Sequence, residues 1–208
     1  MPYPPAPWIL EGYGFQTLHL LDVDLARRFV PSDLQIIQVL PGKTLGGVYL
    51  VYYSNSPVEA YNELIIVSGI VTHAGKVGAW ISHLYVDNPN SVEGGRNIWG
   101  LPKELAQFRW NLEGFPQVHV SQNDLALCTL TCARRSPSLN LPLAAPVLSQ
   151  LDSKVMLFSG HGKFNLQLIG STLDVPSSSP FSPLNFGRSG LSFYSNPLKI
   201  TVEPPHIV

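Results

Sequence analysis

Short runs rich in β-branched and aromatic residues recur along this chain, and turn signals separate them. They lie at 46–53 (GGVYLVYY), 61–71 (YNELIIVSGIV), 77–86 (VGAWISHLYV), 115–122 (FPQVHVSQ), 125–132 (LALCTLTC), 154–160 (KVMLFSG), 163–170 (KFNLQLIG) and 190–202 (GLSFYSNPLKITV). Between them stand Asn55-Ser-Pro57, His73-Ala-Gly75, Gln122-Asn-Asp124 and Gly160-His-Gly162, sequences that reverse a chain tightly. Strands joined by tight turns pair antiparallel, and a long antiparallel sheet closes on itself or folds into two layers. The predicted fold is therefore mainly β (α+β): one domain over residues 1–208, barrel- or cone-like, with few short helices.

Only two segments read as helix. Asp22 to Phe29 offers an Asp at the N-cap, Leu25 and Phe29 four apart, and Pro31 as a stop. Ser91 to Trp99 is the second, with Glu93 suited to a first turn and Gly94-Gly95 against it. The stretch Pro176-Ser-Ser-Ser-Pro-Phe-Ser-Pro183 is low in complexity and reads as an exposed excursion.

Charge excludes some functions. Charged residues make up 13% of the chain and the net charge is −1, against about 25% charged in an average domain. No cluster of Lys and Arg is available to neutralise phosphates, so a nucleic-acid partner is not expected. Arg134-Arg135 reads as a solvated strand end. The longest apolar run, Leu64 to Val71, is interrupted by Ser68 and Gly69 and falls well short of the roughly 20 residues that cross a bilayer as a helix. The start, MPYPPAPWILEGYGF, lacks the basic and apolar regions of a signal peptide. A cytoplasmic protein without a membrane partner is the expectation. Cys128 and Cys132 read as small reduced apolar residues. The six histidines show no metal-ligand spacing, so neither a metal nor a cofactor is expected.

The chemistry-bearing segment is 83–106, HLYVDNPNSVEGGRNIWGLPKELA. Lys103 follows Ile98, Trp99, Leu101 and Pro102, an apolar setting for one of only six lysines. Apolar surroundings disfavour the charged form of an amine in general, and a neutral amine attacks ketones and aldehydes to form a Schiff base. Spacing alone leaves a surface lysine as the commoner reading.

This segment resembles the active-site segment of the acetoacetate decarboxylase family. The matching elements are Leu84-Tyr85-Val86-Asp87, Gly95-Arg96 and Gly100-Leu101-Pro102-Lys103-Glu104-Leu105-Ala106; upstream, Tyr61-Asn62-Glu63 fits the family's Tyr-x-Glu, and Asp24 to Pro31 its early helix. The resemblance implies a lyase of the decarboxylase type in which Lys103 is the Schiff-base lysine and Glu63 the acid/base. It implies a β-keto acid or related carbonyl compound as the small-molecule partner, with Tyr61, Arg96, Trp99 and Glu104 as candidate substrate-binding residues. A homo-oligomer is implied as well.

Three positions depart from the family's decarboxylases. Glu104 replaces the second lysine, Gly47-Val48-Tyr49 holds no second glutamate, and Leu10-Glu11-Gly12-Tyr13 offers no arginine for a substrate carboxylate. Two further readings follow: aldol condensation with dehydration, or a non-catalytic cavity for a hydrophobic small molecule.

Overall fold

The protein is described from a computed structural model covering residues 3–114 and 116–208; the side chains of Arg134 and Arg135 also lie outside the description, as does Phe115. The first half of the chain forms β1 (Trp8–Asp22), α1 (Val23–Ala26), β2 (Gln35–Ile36), β3 (Lys43–Asn55), β4 (Tyr61–His73), β5 (Lys76–Val86) and α2 (Pro89–Trp99). The second half adds β6 (Lys103–Leu105), β7 (Gln107–Asn111), β8 (Gln117–Gln122), β9 (Leu125–Arg135), β10 (Leu139–Leu151), β11 (Lys154–Asp174), β12 (Leu191–Val202) and β13 (His206–Ile207).

All the strands belong to one large sheet, and it is mixed rather than purely antiparallel. The pairing order β10-β5-β4-β3-β1-β12-β11 returns to β10, so seven strands form a ring, and β9-β8-β7 extend from the far half of β11 as a separate lobe. Two junctions are parallel: β5 with β6, and β5 with β10. A parallel neighbour needs a long connection, and α2 with β6–β9 supplies it between β5 and β10. The β5–β10 joint consists of only two residue pairs, Val147 with Ala79 and Leu148 with Trp80. Beyond it, β10 from Leu139 to Pro146 is exposed.

Alternation along β3 and β4 gives the ring two different faces. Tyr49, Tyr53, Tyr61, Glu63, Ile65 and Val67 point into an interior cavity. Their neighbours Val48, Leu50, Leu64 and Ile66 point the other way, into a core shared with Val118, Val120, Leu127 and Leu130 of the β7–β9 lobe. That second core also takes up Phe181 and Leu184, both fully buried. The segment 176–183 is therefore an excursion anchored by its ring: Ser177, Ser178, Pro180 and Pro183 are exposed as expected, while Ser179 and Phe181 are buried.

Four further expectations are corrected. Gly160-His-Gly162 makes no turn, because β11 runs straight through it with β10 and β12 paired on either side. Both β1 and β10 are strands without a matching apolar run in the sequence. The carboxylate of Asp22 does not cap α1 but lies 2.7 Å from the Lys43 ammonium. Finally, α2 starts at Pro89, capped by Asn88, so Glu93 sits inside it rather than in its first turn.

Two histidines sit in the second core. The His19 ring is fully buried, with Nδ1 2.9 Å from the Phe186 carbonyl and Nε2 2.9 Å from the Thr17 hydroxyl. A carbonyl only accepts, so Nδ1 carries the proton and Nε2 accepts from Thr17. His83 lies between the rings of Phe29 and Phe181, with centroids at 5.4 and 5.6 Å, away from the cavity. Burial lowers the pKa of both imidazoles. The neutral form is therefore favoured in the fold, and stability present above the ordinary value of about 6.5 is lost as pH falls through it. Thermal melting between pH 7.5 and 5.5 is expected to show a falling Tm, and His19→Gln to shrink the drop. A flat profile, or an unchanged drop in the variant, would contradict this.

Candidate functional site

The connection from β5 to β6 builds the site. The Asn88 side chain accepts hydrogen bonds from the backbone N–H groups of Asn90 (2.8 Å) and Ser91 (3.2 Å), and Pro89 occupies the first helical position, where a missing N–H costs nothing. The helix stops at Gly100, whose φ of 64° is left-handed. A side chain there would also meet the Gln150 carbonyl oxygen at 2.3 Å, so glycine is required on both counts. After Leu101-Pro102 the chain pairs with β5 in parallel, Lys103 opposite Leu84 and Glu104 opposite Tyr85. Successive residues of a strand face opposite sides. Lys103 therefore points into the cavity, and Glu104 points out, where it accepts from the Gln122 side-chain amide at 2.9 Å.

Lys103 and Glu63 are both 4% exposed. The Nζ of Lys103 lies 2.6 Å from Glu63 Oε2 and 2.9 Å from the Ser91 hydroxyl, and 5.4 Å from the centre of the Tyr61 ring, within cation–π range. Ser91 and Gly95 are one helical turn apart and present one face of α2 to this amine. At Gly95 even a methyl group would approach the Lys103 Cδ to 2.4 Å and Cε to 2.6 Å. The absent side chain is the channel through which the lysine reaches the cavity.

The cavity has a volume of about 330 Å³. Its wall is mainly aliphatic and aromatic, with Trp8, Leu10, Ile81, Trp99, Leu143, Phe158, Phe164 and Ile200 contributing. Among the described lining residues, Lys103 and Glu63 are the charged ones. Burial, reinforced by the Glu63 charge, holds the phenols of Tyr49 and Tyr61 well above their ordinary range. Tyr53 is raised by burial first, then by its neighbours Tyr49 and Glu63. All three phenols keep their protons. A second, more open hollow of about 410 Å³ lies outside, between Arg28, Trp80 and Gln150, and contains neither Lys103 nor Glu63.

Of the six site residues inferred from the sequence, Lys103, Glu63, Tyr61 and Trp99 come together around this cavity. Trp99 donates its indole N–H to the Glu203 carbonyl at 2.8 Å and packs edge-on against Trp8. Arg96 and Glu104 do not line the cavity. The Arg96 Nε donates to the Lys103 backbone carbonyl at 2.8 Å, a contact that fixes the strand bearing the amine. Ser91, Gly95, Tyr49 and Tyr53 had not been picked out. The four-residue spacing of Ser91 and Gly95 and the alternation of Tyr49, Val51 and Tyr53 were the available signals. Among the described residues, no group of three or more His, Cys, Asp or Glu is placed to hold a metal. No helix there is long and apolar enough to cross a membrane.

The chain matches the acetoacetate decarboxylase (ADC) family over residues 1–174. Protein NEOXANTHIN-DEFICIENT 1 of Arabidopsis thaliana is 32% identical over 115 residues, covering 55% of this chain and 40% of that protein. Its namesake in Oryza sativa subsp. japonica is 35% identical over 102 residues, 49% of this chain and 33% of that one. The matched region is thus well under half of those relatives' length. Among solved structures, acetoacetate decarboxylase from Legionella pneumophila superposes with a TM-score of 0.74 at 18% identity, covering all of this chain and 89% of that one. The enduracididine biosynthesis enzyme MppR gives 0.75 at 16% identity, with 100% and 89% covered. At such identities the likeness is one of fold.

Proposed function

The chain belongs to the acetoacetate decarboxylase family, and from that premise we propose that it binds a neutral, largely apolar carbonyl compound and joins it to Lys103 as a Schiff base. The observation that carries this reading is the Lys103–Glu63 pair, 2.6 Å apart and the only charges among the described residues of an apolar wall. Passing one proton from Nζ to the carboxylate uncovers the amine lone pair. The amine adds to the carbonyl carbon, the resulting hydroxyl leaves as water, and an iminium forms. The iminium withdraws electrons from the neighbouring carbon, and Glu63, returned to its carboxylate form, accepts the proton lost there to give an enamine. That enamine can attack a second carbonyl, as in aldol condensation followed by dehydration.

Decarboxylation of a β-keto acid fits the wall less well. The substrate carboxylate must be held before the C–C bond breaks. Among the described lining residues no cation other than Lys103 is available for that, and Glu63 repels a second carboxylate. The plant relatives' name, too, refers to neoxanthin rather than to acetoacetate. Borohydride trapping with 4-phenylbutan-2-one, read by intact mass, tests the reading. A stable adduct of the ketone mass less one oxygen atom is expected, absent in Lys103→Ala, with acetoacetate giving far less. Failure of every neutral ketone and aldehyde to leave an adduct would point instead to a cavity that only binds.

A further inference from the structure

Tyr49 occupies a position in the cavity wall that the Lys103–Glu63 chemistry does not use. On β3 it stands directly opposite Gln16 of β1 on one side and Ile65 of β4 on the other, and both neighbours line the cavity with it. Glu63 pairs with Val51, two residues along, so Tyr49 and Glu63 are diagonal neighbours; aromatic side chains span that offset. The Tyr49 hydroxyl is buried and makes no hydrogen bond of ordinary geometry; the Tyr53 phenol beside it donates toward its oxygen, which leaves the Tyr49 proton without an acceptor. A buried donor without an acceptor is costly to a fold, and phenylalanine would fill the same space without that cost. A hydroxyl kept under those terms points to an acceptor that arrives with the ligand.

We propose that the Tyr49 hydroxyl donates a hydrogen bond to the oxygen of the carbonyl compound held in this cavity. The inference rests on the reading that the cavity takes such a compound. It deepens that reading by giving the ligand two fixed points, its oxygen at Tyr49 and its carbon at Lys103. A phenol that keeps its proton donates to a neutral oxygen in its ground state and to the oxygen of the tetrahedral adduct alike. It offers one hydrogen bond and no charge, enough for a ketone, aldehyde or alcohol oxygen but not to offset the burial of a carboxylate.

Three probes of one carbon skeleton separate the roles: 4-phenylbutan-2-one, 4-phenylbutan-2-ol and butylbenzene. The alcohol keeps the oxygen but forms no iminium, so its affinity is independent of Lys103 covalency. By calorimetric titration, Tyr49→Phe is expected to weaken binding of the alcohol about three- to tenfold and that of butylbenzene by less than about twofold. The Tm of the ligand-free variant is expected to stay level or rise, since an unsatisfied polar atom has been removed. Equal weakening of both probes, no weakening of the alcohol, or a lower ligand-free Tm would overturn the assignment, as would a wild type that does not bind the alcohol. Trapping of the ketone on Lys103 is scored separately. An alcohol-specific loss without any ketone adduct would uphold Tyr49 and defeat the Schiff-base reading; the converse would do the reverse.

Discussion

Replacing Lys103 by Met while Glu63 stays in place is expected to remove about 3–5 kcal/mol of stability, a large part of the roughly 5–15 kcal/mol that holds such a domain together. The two side chains are 5% and 6% exposed and 2.6 Å apart. Without the ammonium, the carboxylate lies inside an apolar wall with no compensating cation among the described lining residues. The destabilisation is therefore a desolvation cost and not the value of the pair itself. Removing both charges, as Lys103→Met with Glu63→Leu, is expected to bring stability back to within about 1 kcal/mol of the starting protein, since an apolar pair of similar volume needs no compensation. Urea denaturation of the three chains decides it. If the double variant is no more stable than the single one, the pair is not an isolated buried charge system and the site has been misread.

Gly95→Ala is expected to slow adduct formation at Lys103 by about a hundredfold, the scale of loss that follows a displacement of about 1 Å in a reacting group. Alanine is the best helix former and in an ordinary helix interior gains about 1 kcal/mol over glycine. Here its methyl group would stand 2.4 Å from the Lys103 Cδ. The lysine stem must move, and with it the contacts of Nζ to Glu63 and Ser91. Trapping rates measured beside the melting temperature give a clear signature: chemistry lost out of proportion to stability. A variant that traps ketone at the original rate would show that the stem has another way in.

The mainly β fold class and the family were legible in the sequence. Lys103 and Glu63 stand out because a lysine after Trp-Gly-Leu-Pro and a glutamate amid Leu, Ile and Val are charges in apolar runs. Glu104 was misplaced because a linear motif does not say which way a residue faces. The hairpin at Gly160 was misread for a related reason. Glycine marks turns, yet here it also fits where β11 runs between two paired neighbours. Pro142 and Pro146 hid β10, since proline argues against a central strand. The strand tolerates them because its other edge meets β5 only at Val147 and Leu148. In the low-complexity segment the telling residue was Phe181, a large ring among serines.

The segment from Asn88 to Lys103 holds the helix cap, the serine and glycine that flank the amine, the arginine that pins its strand, and the amine itself. Outside it, the proposed reaction asks for a single carboxylate, Glu63. The rest of the wall comes from β1, β3, β4, β5 and the β10–β12 strands, and of these β5 also pairs with the strand that bears the lysine. Most of the wall thus lies on stretches of chain separate from the one that carries the amine. Substitutions on the wall strands can therefore reshape the cavity while leaving the Asn88–Lys103 segment unchanged.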